Sequence, residues 1–125
     1  SGVWYDSERQ EDCSFANAAD GKERCMPTSQ LTVTFYGDAS CTQPLAVGSP
    51  SCAPKYAMTF EPSACSAGTV HIYAIGATAT PSKLYVNANG TCMNAGPPDP
   101  ASTYYQVGAE VAASSFVGAS SQHDK

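Results

Sequence analysis

The stretch LTVTFY at residues 31–36 alternates apolar and polar side chains along most of its length. YAMTF at 56–60 alternates in a similar way, while residues 70–75, 84–86 and 104–107 are rich in β-branched and aromatic side chains. Alternation with a period of two is typical of a half-buried β-strand. No window of about a dozen residues carries apolar positions at helical spacing without an interrupting Gly or Pro. We therefore predict an all-β fold.

Turn sequences separate these predicted strands. Asp20-Gly21 and Asn89-Gly90 are dipeptides that favour tight hairpin turns, and residues 48–50 and 96–100 are rich in Gly and Pro. Asn89 also begins an Asn-x-Thr glycosylation sequon, but a hairpin turn explains the same three residues. The spacing predicts short antiparallel hairpins in a single disulfide-bonded domain.

A weak internal repeat runs through the predicted hairpins. A short apolar strand ends in a glycine, and an apolar pair begins eight positions later, at Gly37, Gly76 and Gly108. Repeated hairpin units would give a propeller-like or trefoil-like architecture. A β-sandwich is the alternative, because glycine-containing turns look alike in any β protein.

Six cysteines in a chain of 125 residues indicate disulfides, which small domains use to supplement a thin core. Zinc is the competing use, but the chain has no Cys-x-x-Cys pair, and His71 and His123 lie at no zinc-finger spacing. Spacing alone leaves fifteen pairings open. Because the first two pairs flank turn segments and the third would tie neighbouring hairpins, we expect Cys13–Cys25, Cys41–Cys52 and Cys65–Cys92.

Disulfides persist outside the reducing cytosol, so we expect a secreted, extracellular or cell-surface protein. The length fits a single domain over residues 1–125, and no apolar stretch approaches the roughly 18 residues of a membrane-spanning helix. Residues 3–5 have strand character with only two residues before them. The chain is therefore expected to be a fragment of a longer precursor.

The formal charge is −5, and the six basic residues are scattered along the chain. A nucleic-acid-binding surface needs clustered basic side chains to neutralise phosphates. Nucleic acid is therefore not an expected partner.

Signals for catalysis are poor. There is no Gly-x-Ser-x-Gly elbow, and His71 is expected to be an ordinary half-exposed strand residue. A glycosidase-like carboxylate pair could come from Asp6, Glu11 and Asp12, but basic residues lie among them and favour an ion-paired loop. We expect no enzyme, with a secreted hydrolase-related domain that uses these acidic residues as the alternative.

Calcium is a further possible use of the acidic N-terminal region, with Asp6, Asp12 and Asp20 as weak candidates. The chain has no Asp-x-Asp-x-Asp-Gly loop, and Asp20-Gly21 is more simply a hairpin turn. No cofactor is expected.

Tyrosine and tryptophan give the one broad indication of a binding surface, and the alternative is that they are ordinary outer-face residues, which are common on β-sheets without any ligand. Their rings combine apolar area with a polar tip, as surfaces that bind carbohydrates or proteins do. Adjacent strand residues point to opposite faces, so at least one of Tyr104 and Tyr105 should be partly exposed, and Trp4-Tyr5 presents the same choice. We expect a non-enzymatic binding, adhesion or structural module, with binding candidates Trp4, Tyr5, Tyr104 and Tyr105.

Several segments carry a family resemblance. They are Trp4-Tyr5-Asp6 with the Cys13 and Cys25 regions at residues 11–15, 18–21 and 24–27, then 36–41 with Pro44, 73–76, 104–111 and 115–117. The pattern resembles secreted cysteine-containing proteins of myxobacteria, a family without an assigned reaction or ligand. The resemblance implies β structure and secretion. In that family an Asp-Gly-Ser-rich β segment usually precedes the first motif, and its absence here supports the expectation of a fragment.

Overall fold

The structure is a computed structural model that describes residues 3–49, 54–64 and 68–118. These ranges contain ten β-strands and one turn of 3₁₀-helix, and no α-helix, which confirms the all-β prediction. None of their segments is a helix of the length and apolarity that a bilayer crossing requires. The strands are β1 Trp4–Asp6, β2 Glu11–Asn17, β3 Glu23–Pro27, β4 Gln30–Tyr36, β5 Pro44–Gly48, β6 Tyr56–Glu61, β7 Thr69–Ala79, β8 Leu84–Ala88, β9 Thr91–Gly96 and β10 Thr103–Glu110.

Five strands close into a barrel in the order β4, β5, β10, β7 and β6, with β6 pairing back to β4. Neighbouring strands are antiparallel except β4 and β6, which run parallel from Gln30↔Tyr56 to Thr32↔Met58. Closure pairs the edges that an open sheet would expose. The β8–β9 hairpin lies outside the barrel and joins β4 through the pair Tyr36↔Tyr85.

Strands β1, β2 and β3 form a separate antiparallel sheet. After β10 the chain returns to this sheet as residues 111–118, which we call the C-terminal strap and which contains the 3₁₀ turn Ala113–Ser115. Gly118 bridges Arg24 on β3, and the Val117 carbonyl accepts a 2.8 Å hydrogen bond from the Cys25 N–H. The strap therefore lines the edge of the sheet opposite β1.

The core has two parts. One buries Ala18 and Met26 of the small sheet against Tyr56 and Ile72 of the barrel, with Phe116 of the strap between them. The other gathers three buried side chains that join the barrel to the outer hairpin, namely Leu45, Leu84 and Tyr104. The strap thus supplies the side chain that seals the small sheet onto the barrel.

The predicted turns have the expected backbone. Gly21 has a φ of +80° between β2 and β3, and Asn89 and Gly90 have φ values of 52° and +85° between β8 and β9. Positive φ at both central residues is the requirement of a type I′ hairpin turn. Asn89 therefore occupies an exposed hairpin tip, as the sequence indicated.

The structure does not show the propeller-like or trefoil-like repeat. Strand β7, which holds Gly76, pairs with β6 and β10 rather than with the following β8, and Gly108 leads into the strap. Both glycines instead permit β7 and β10 to approach closely. A Cβ at Gly76 would lie 2.9 Å from the Gln106 carbonyl oxygen, and one at Gly108 would lie 3.0 Å from that of Ala74.

Two disulfides lie within the described residues. Cys13–Cys25 joins β2 to β3, as predicted. The predicted Cys41–Cys52 and Cys65–Cys92 pairs are wrong, because Cys41 is bonded to Cys92. The β8–β9 hairpin lies beside β4 and brings Cys92 to the connection after that strand, at a Cα–Cα distance of 5.8 Å. Cys52 and Cys65 themselves lie outside the described residues.

Candidate functional site

A groove of about 560 Å³ is formed by the small sheet and the C-terminal strap, within the size range of small-molecule sites. We call it the aromatic groove. Its lining residues come from β1 and the turn after it, from the disulfide between β2 and β3, and from the strap. They are residues 4–8, Cys13, Arg24, Cys25 and residues 114–118.

Trp4 and Tyr5 are the exposed aromatic side chains of the groove, with 51% and 63% of their surface accessible. Trp4 pairs with Cys13 and contacts Phe15, whose ring centroid lies 5.8 Å away at an interplanar angle of 76°. An edge-to-face contact of this kind fixes a ring and covers at most one of its faces. The Trp4 indole therefore has an aromatic packing partner and is about half accessible.

Asp6 fixes the turn that carries the next groove residues. It is 5% exposed, and its Oδ1 accepts hydrogen bonds from the backbone N–H groups of Glu8 at 3.0 Å and Arg9 at 3.1 Å. Aspartate commonly closes turns in this way. Its buried carboxylate therefore positions Ser7 and Glu8 at the mouth of the groove.

The calcium candidates are not brought together. Asp6 lies opposite Glu11 at the start of β2, whereas Asp20 lies in the turn beyond the end of that strand at Asn17. At about 3.4 Å per residue, the length of β2 separates them by roughly 20 Å. The weak calcium candidates Asp6 and Asp20 therefore do not share one cluster. The described residues hold no group of three or more metal-ligating side chains.

Arg24 lines the groove but is fully engaged by the protein. Its Nε and Nη2 atoms donate to Asp20 Oδ2 at 3.0 and 2.7 Å, and Nη1 donates to the Phe116 carbonyl at 2.7 Å. The hydrogen bond from Arg24 lowers the pKa of the Asp20 carboxyl below its ordinary value. Arg24 thus clamps the strap to the hairpin and brings no unpaired positive charge to the groove.

Six other polar groups of the groove make no hydrogen bond or ion pair to the described residues. They are the indole N–H of Trp4, the hydroxyls of Tyr5, Ser7, Ser114 and Ser115, and the carboxylate of Glu8. Each of these residues is exposed. The groove therefore offers aromatic area, hydroxyl groups that both donate and accept, and one free carboxylate.

Glu11, one of the acidic residues considered for hydrolysis, lies in an ion-paired network. Glu11 accepts hydrogen bonds from Arg9 Nε at 3.2 Å, Lys55 Nζ at 2.9 Å and the Tyr56 hydroxyl at 3.2 Å. Arg9 Nη2 also donates to the Tyr56 hydroxyl at 2.6 Å, and its guanidinium lies 4.8 Å from the Phe116 ring centroid. This ion-paired network packs the β1–β2 turn against the barrel.

His71 makes a second charged cluster on the barrel wall. Its Nδ1 lies 2.8 Å from Glu110 Oε2 and its Nε2 lies 3.3 Å from Glu61 Oε1, so the imidazole joins β7 to β10 and β6. The hydrogen bond with Glu110 is the main reason that the His71 pKa is raised above its ordinary value of 6.5. Both ring nitrogens face carboxylates, which is the setting of an imidazolium.

Tyr104 is wrong as a surface binding candidate. It is 5% exposed, packs with Leu45 and Leu84, and its hydroxyl accepts a 2.8 Å hydrogen bond from the Asp99 N–H. Tyr105 is partly exposed on β10, as strand alternation requires, and it does not line the aromatic groove. Of the four predicted aromatic residues, Trp4 and Tyr5 line the aromatic groove, and Tyr104 and Tyr105 do not.

A second groove of about 540 Å³ lies on the barrel between the β4–β5 connection and the ends of β7 and β10. Its polar side chains are uncharged amides and hydroxyls, such as Gln43, Thr78 and Gln106. None of the predicted site residues lines it.

Sequence reasoning missed the strap residues Ser114 and Ser115, which lie more than a hundred positions from Trp4. Serines in a short loop give no signal by themselves. Only the return of the chain to the edge of β3 brings them to the groove that residues of β1 also line.

These features define a disulfide-bonded all-β protein in which a five-stranded barrel carries a small sheet with an exposed aromatic groove. The family model described as Family of unknown function (DUF7481) matches residues 2–121, and the chain belongs to this family. No curated protein and no solved structure matches the chain.

Proposed function

We propose that this protein is a secreted or cell-surface binding module without catalytic activity, and that it takes its ligand in the aromatic groove. The observation that carries the proposal is the pair of exposed rings, Trp4 and Tyr5, together with the six polar groups of the groove that have no partner among the described residues. Exposed aromatics surrounded by polar groups are typical of recognition surfaces. A role in adhesion would use the same groove.

Two observations support a location outside the cytosol. The described residues hold two disulfides, and one of them, Cys41–Cys92, closes a span of 51 residues. Such bonds persist in oxidising compartments. Peptide mass mapping of the protein isolated from its source, without reductant, tests this part, and free thiols at Cys41 and Cys92 would contradict it.

Trp4 is the only tryptophan, so its indole reports on the groove alone. In ¹⁵N-labelled protein, we expect its indole N–H resonance to shift on addition of at least one of four probes: neutral oligosaccharides, oligogalacturonate, choline or a lysine-alanine peptide. The Tyr5→Ala variant should bind the same probe at least tenfold more weakly. No shift with any probe at millimolar concentration would contradict the proposal.

The hydrolase alternative has a separate test. An enzyme that uses the acidic residues would release product from a hydrolysable substrate and lose that release in Glu11→Gln. We expect no turnover of neutral oligosaccharides by the unmodified protein over a day, measured by product chromatography.

A further inference from the structure

We propose that the ligand of the aromatic groove is a neutral oligosaccharide. The inference rests on the proposed function and adds the chemical class of the ligand to it. Three properties of the groove carry it: the separated aromatic faces, the mixture of hydrogen-bonding groups, and the distribution of charge.

The aromatic faces suit sugar rings. Pyranose rings have an apolar face of C–H groups, and this face stacks on aromatic rings that a protein holds rigidly. Trp4 fits this requirement, because its indole packs edge-to-face with Phe15 while 51% of the residue's surface stays accessible. Tyr5 is the next residue on β1, so its side chain leaves the strand on the opposite face. One sugar unit cannot stack on both rings. A ligand that contacts both must pass around the edge strand β1, and a chain of sugar units can do this where a single unit cannot.

The unpaired groups of the groove match hydroxyl groups. Ser7, Ser114 and Ser115 offer hydroxyls that donate and accept, and Glu8 offers an acceptor that binds two adjacent hydroxyls. Sugar hydroxyls likewise both donate and accept hydrogen bonds. A quaternary ammonium ion supplies neither, so it would leave these groups without partners.

The charge of the groove excludes acidic ligands. Arg24 is the only cationic side chain among the described residues that line it, and its Nε, Nη1 and Nη2 atoms each donate a hydrogen bond to Asp20 or to the Phe116 carbonyl. Asp6 and Glu8 add negative charge, and the formal charge of the chain is −5. A carboxylated or sulfated sugar would meet repulsion without a compensating cation.

The geometry of β1 disfavours a peptide. Strand addition needs an edge long enough for several backbone hydrogen bonds, and β1 has three residues. Short edge strands are a common means by which proteins prevent such pairing. A peptide would therefore gain few main-chain hydrogen bonds at this edge.

The test titrates ¹⁵N-labelled protein separately with hexasaccharides of glucose, mannose and N-acetylglucosamine, with their monosaccharides, and with oligogalacturonate, choline and a lysine-alanine peptide. We expect at least one neutral hexasaccharide to shift the Trp4 indole resonance with millimolar or tighter affinity. Its monosaccharide should bind at least tenfold more weakly, and oligogalacturonate should not bind.

Variants test the assigned contacts. By calorimetry, Trp4→Ala and Tyr5→Ala should each weaken hexasaccharide binding at least tenfold, and Ser115→Ala about threefold. Phe60→Ala is the matched control, because Phe60 is also an exposed aromatic at 54% but lies on β6 outside the groove. Its affinity should be unchanged, and circular dichroism should show that every variant is folded.

The outcomes separate the two proposals. If only choline or the peptide shifts the Trp4 indole, the groove binds a ligand but the carbohydrate inference is wrong. If oligogalacturonate binds more tightly than every neutral sugar, the charge argument fails. If no probe shifts the resonance, both the function and the ligand class are wrong.

Discussion

At the scale of single residues, the Tyr56 hydroxyl is the centre of the network that attaches the β1–β2 turn to the barrel. It accepts from Arg9 at 2.6 Å and donates to Glu11 at 3.2 Å, and the residue is 5% exposed. The hydrogen bond to Tyr56 is also the main reason that the pKa of Arg9 is raised. A hydroxyl with two charged partners should contribute more to the free energy of unfolding than a hydroxyl that faces solvent.

We therefore expect Tyr56→Phe to lower the free energy of unfolding by about 1.5 to 3 kcal/mol, the usual contribution of a hydrogen bond to a charged group. Urea denaturation measures the change. Tyr105→Phe is the control, because the Tyr105 hydroxyl makes no hydrogen bond to the described residues, and its change should stay within about 0.5 kcal/mol. Equal losses of unfolding free energy in the two variants would contradict a stabilising role for the Tyr56 hydrogen bonds.

Gly76 is a position where β7 and β10 approach too closely for any side chain. Its added Cβ would lie 2.9 Å from the backbone oxygen of Gln106, so β7 and β10 would have to separate. We expect Gly76→Ala to cost about 1 to 3 kcal/mol, as overpacking does. At Gly37 the nearest atom, Leu45 Cδ1, is 3.4 Å away, and Gly37→Ala should change stability by less than about 1 kcal/mol. Thermal unfolding of both variants tests the contrast.

At the scale of strands, His71 on β7 joins its two neighbours in the barrel wall through Glu61 on β6 and Glu110 on β10. Its folded-state pKa is raised above the ordinary 6.5. The imidazolium therefore stabilises the fold fully below about pH 6.5, and this stabilisation is lost as pH rises through the folded-state pKa.

We compare two variants, His123→Gln and the double variant His123→Gln/His71→Gln, so that His71 is the one histidine that differs between them. Between pH 6 and 8.5, the free energy of unfolding should fall more in His123→Gln than in the double variant. NMR titration of the His71 ring gives the pKa directly. Glu110→Gln should lower this pKa more than Glu61→Gln, because the contact with Glu110 is shorter, at 2.8 against 3.3 Å. A His71 pKa at or below 6.5 would be the opposite result.

The outer β8–β9 hairpin depends on a covalent link to the barrel. Its strand contact with β4 is the single pair Tyr36↔Tyr85, and Cys41–Cys92 bridges a separation of 51 residues. A loop of this length corresponds to about 4 kcal/mol in the chain-entropy model, against about 3 kcal/mol for the shorter loop closed by Cys13–Cys25.

We expect Cys41→Ala/Cys92→Ala to lower stability more than Cys13→Ala/Cys25→Ala, by about 1 kcal/mol in denaturant titrations. Hydrogen exchange should accelerate first at residues 84–96 in the former variant, since the hairpin loses its tether. Exchange that accelerates evenly over the barrel would show that the link acts on the whole fold.

At the scale of the whole molecule, Phe116 couples the small sheet to the barrel. It is 2% exposed and its ring lies 6.4 Å from that of Tyr56. We expect Phe116→Ala to cost about 3 to 5 kcal/mol, whereas exposed Phe60→Ala should cost less than about 1 kcal/mol. In the unmodified chain, Trp4 fluorescence and far-ultraviolet circular dichroism should report the same unfolding midpoint. Separate midpoints would show that the sheet unfolds independently.

The aromatic groove is likewise a property of the whole molecule, because its two sides come from opposite ends of the described chain. The sequence predicted Trp4 and Tyr5 from the chemistry of their rings. It also selected Tyr104, because strand alternation requires that one of Tyr104 and Tyr105 be exposed but does not say which. The packing of Leu45 and Leu84 against Tyr104 decides that question.

The sequence by itself determined the features that depend on neighbouring residues. Side-chain alternation determined the β-strands, the φ preferences of Asp20-Gly21 and Asn89-Gly90 determined the hairpin turns, and the short loop between Cys13 and Cys25 determined one disulfide. The tertiary structure alone decided the barrel closure through parallel β4 and β6, the Cys41–Cys92 bond and the strap that completes the groove. These contacts join distant parts of the chain, and their partners are selected by packing, which local pattern does not encode.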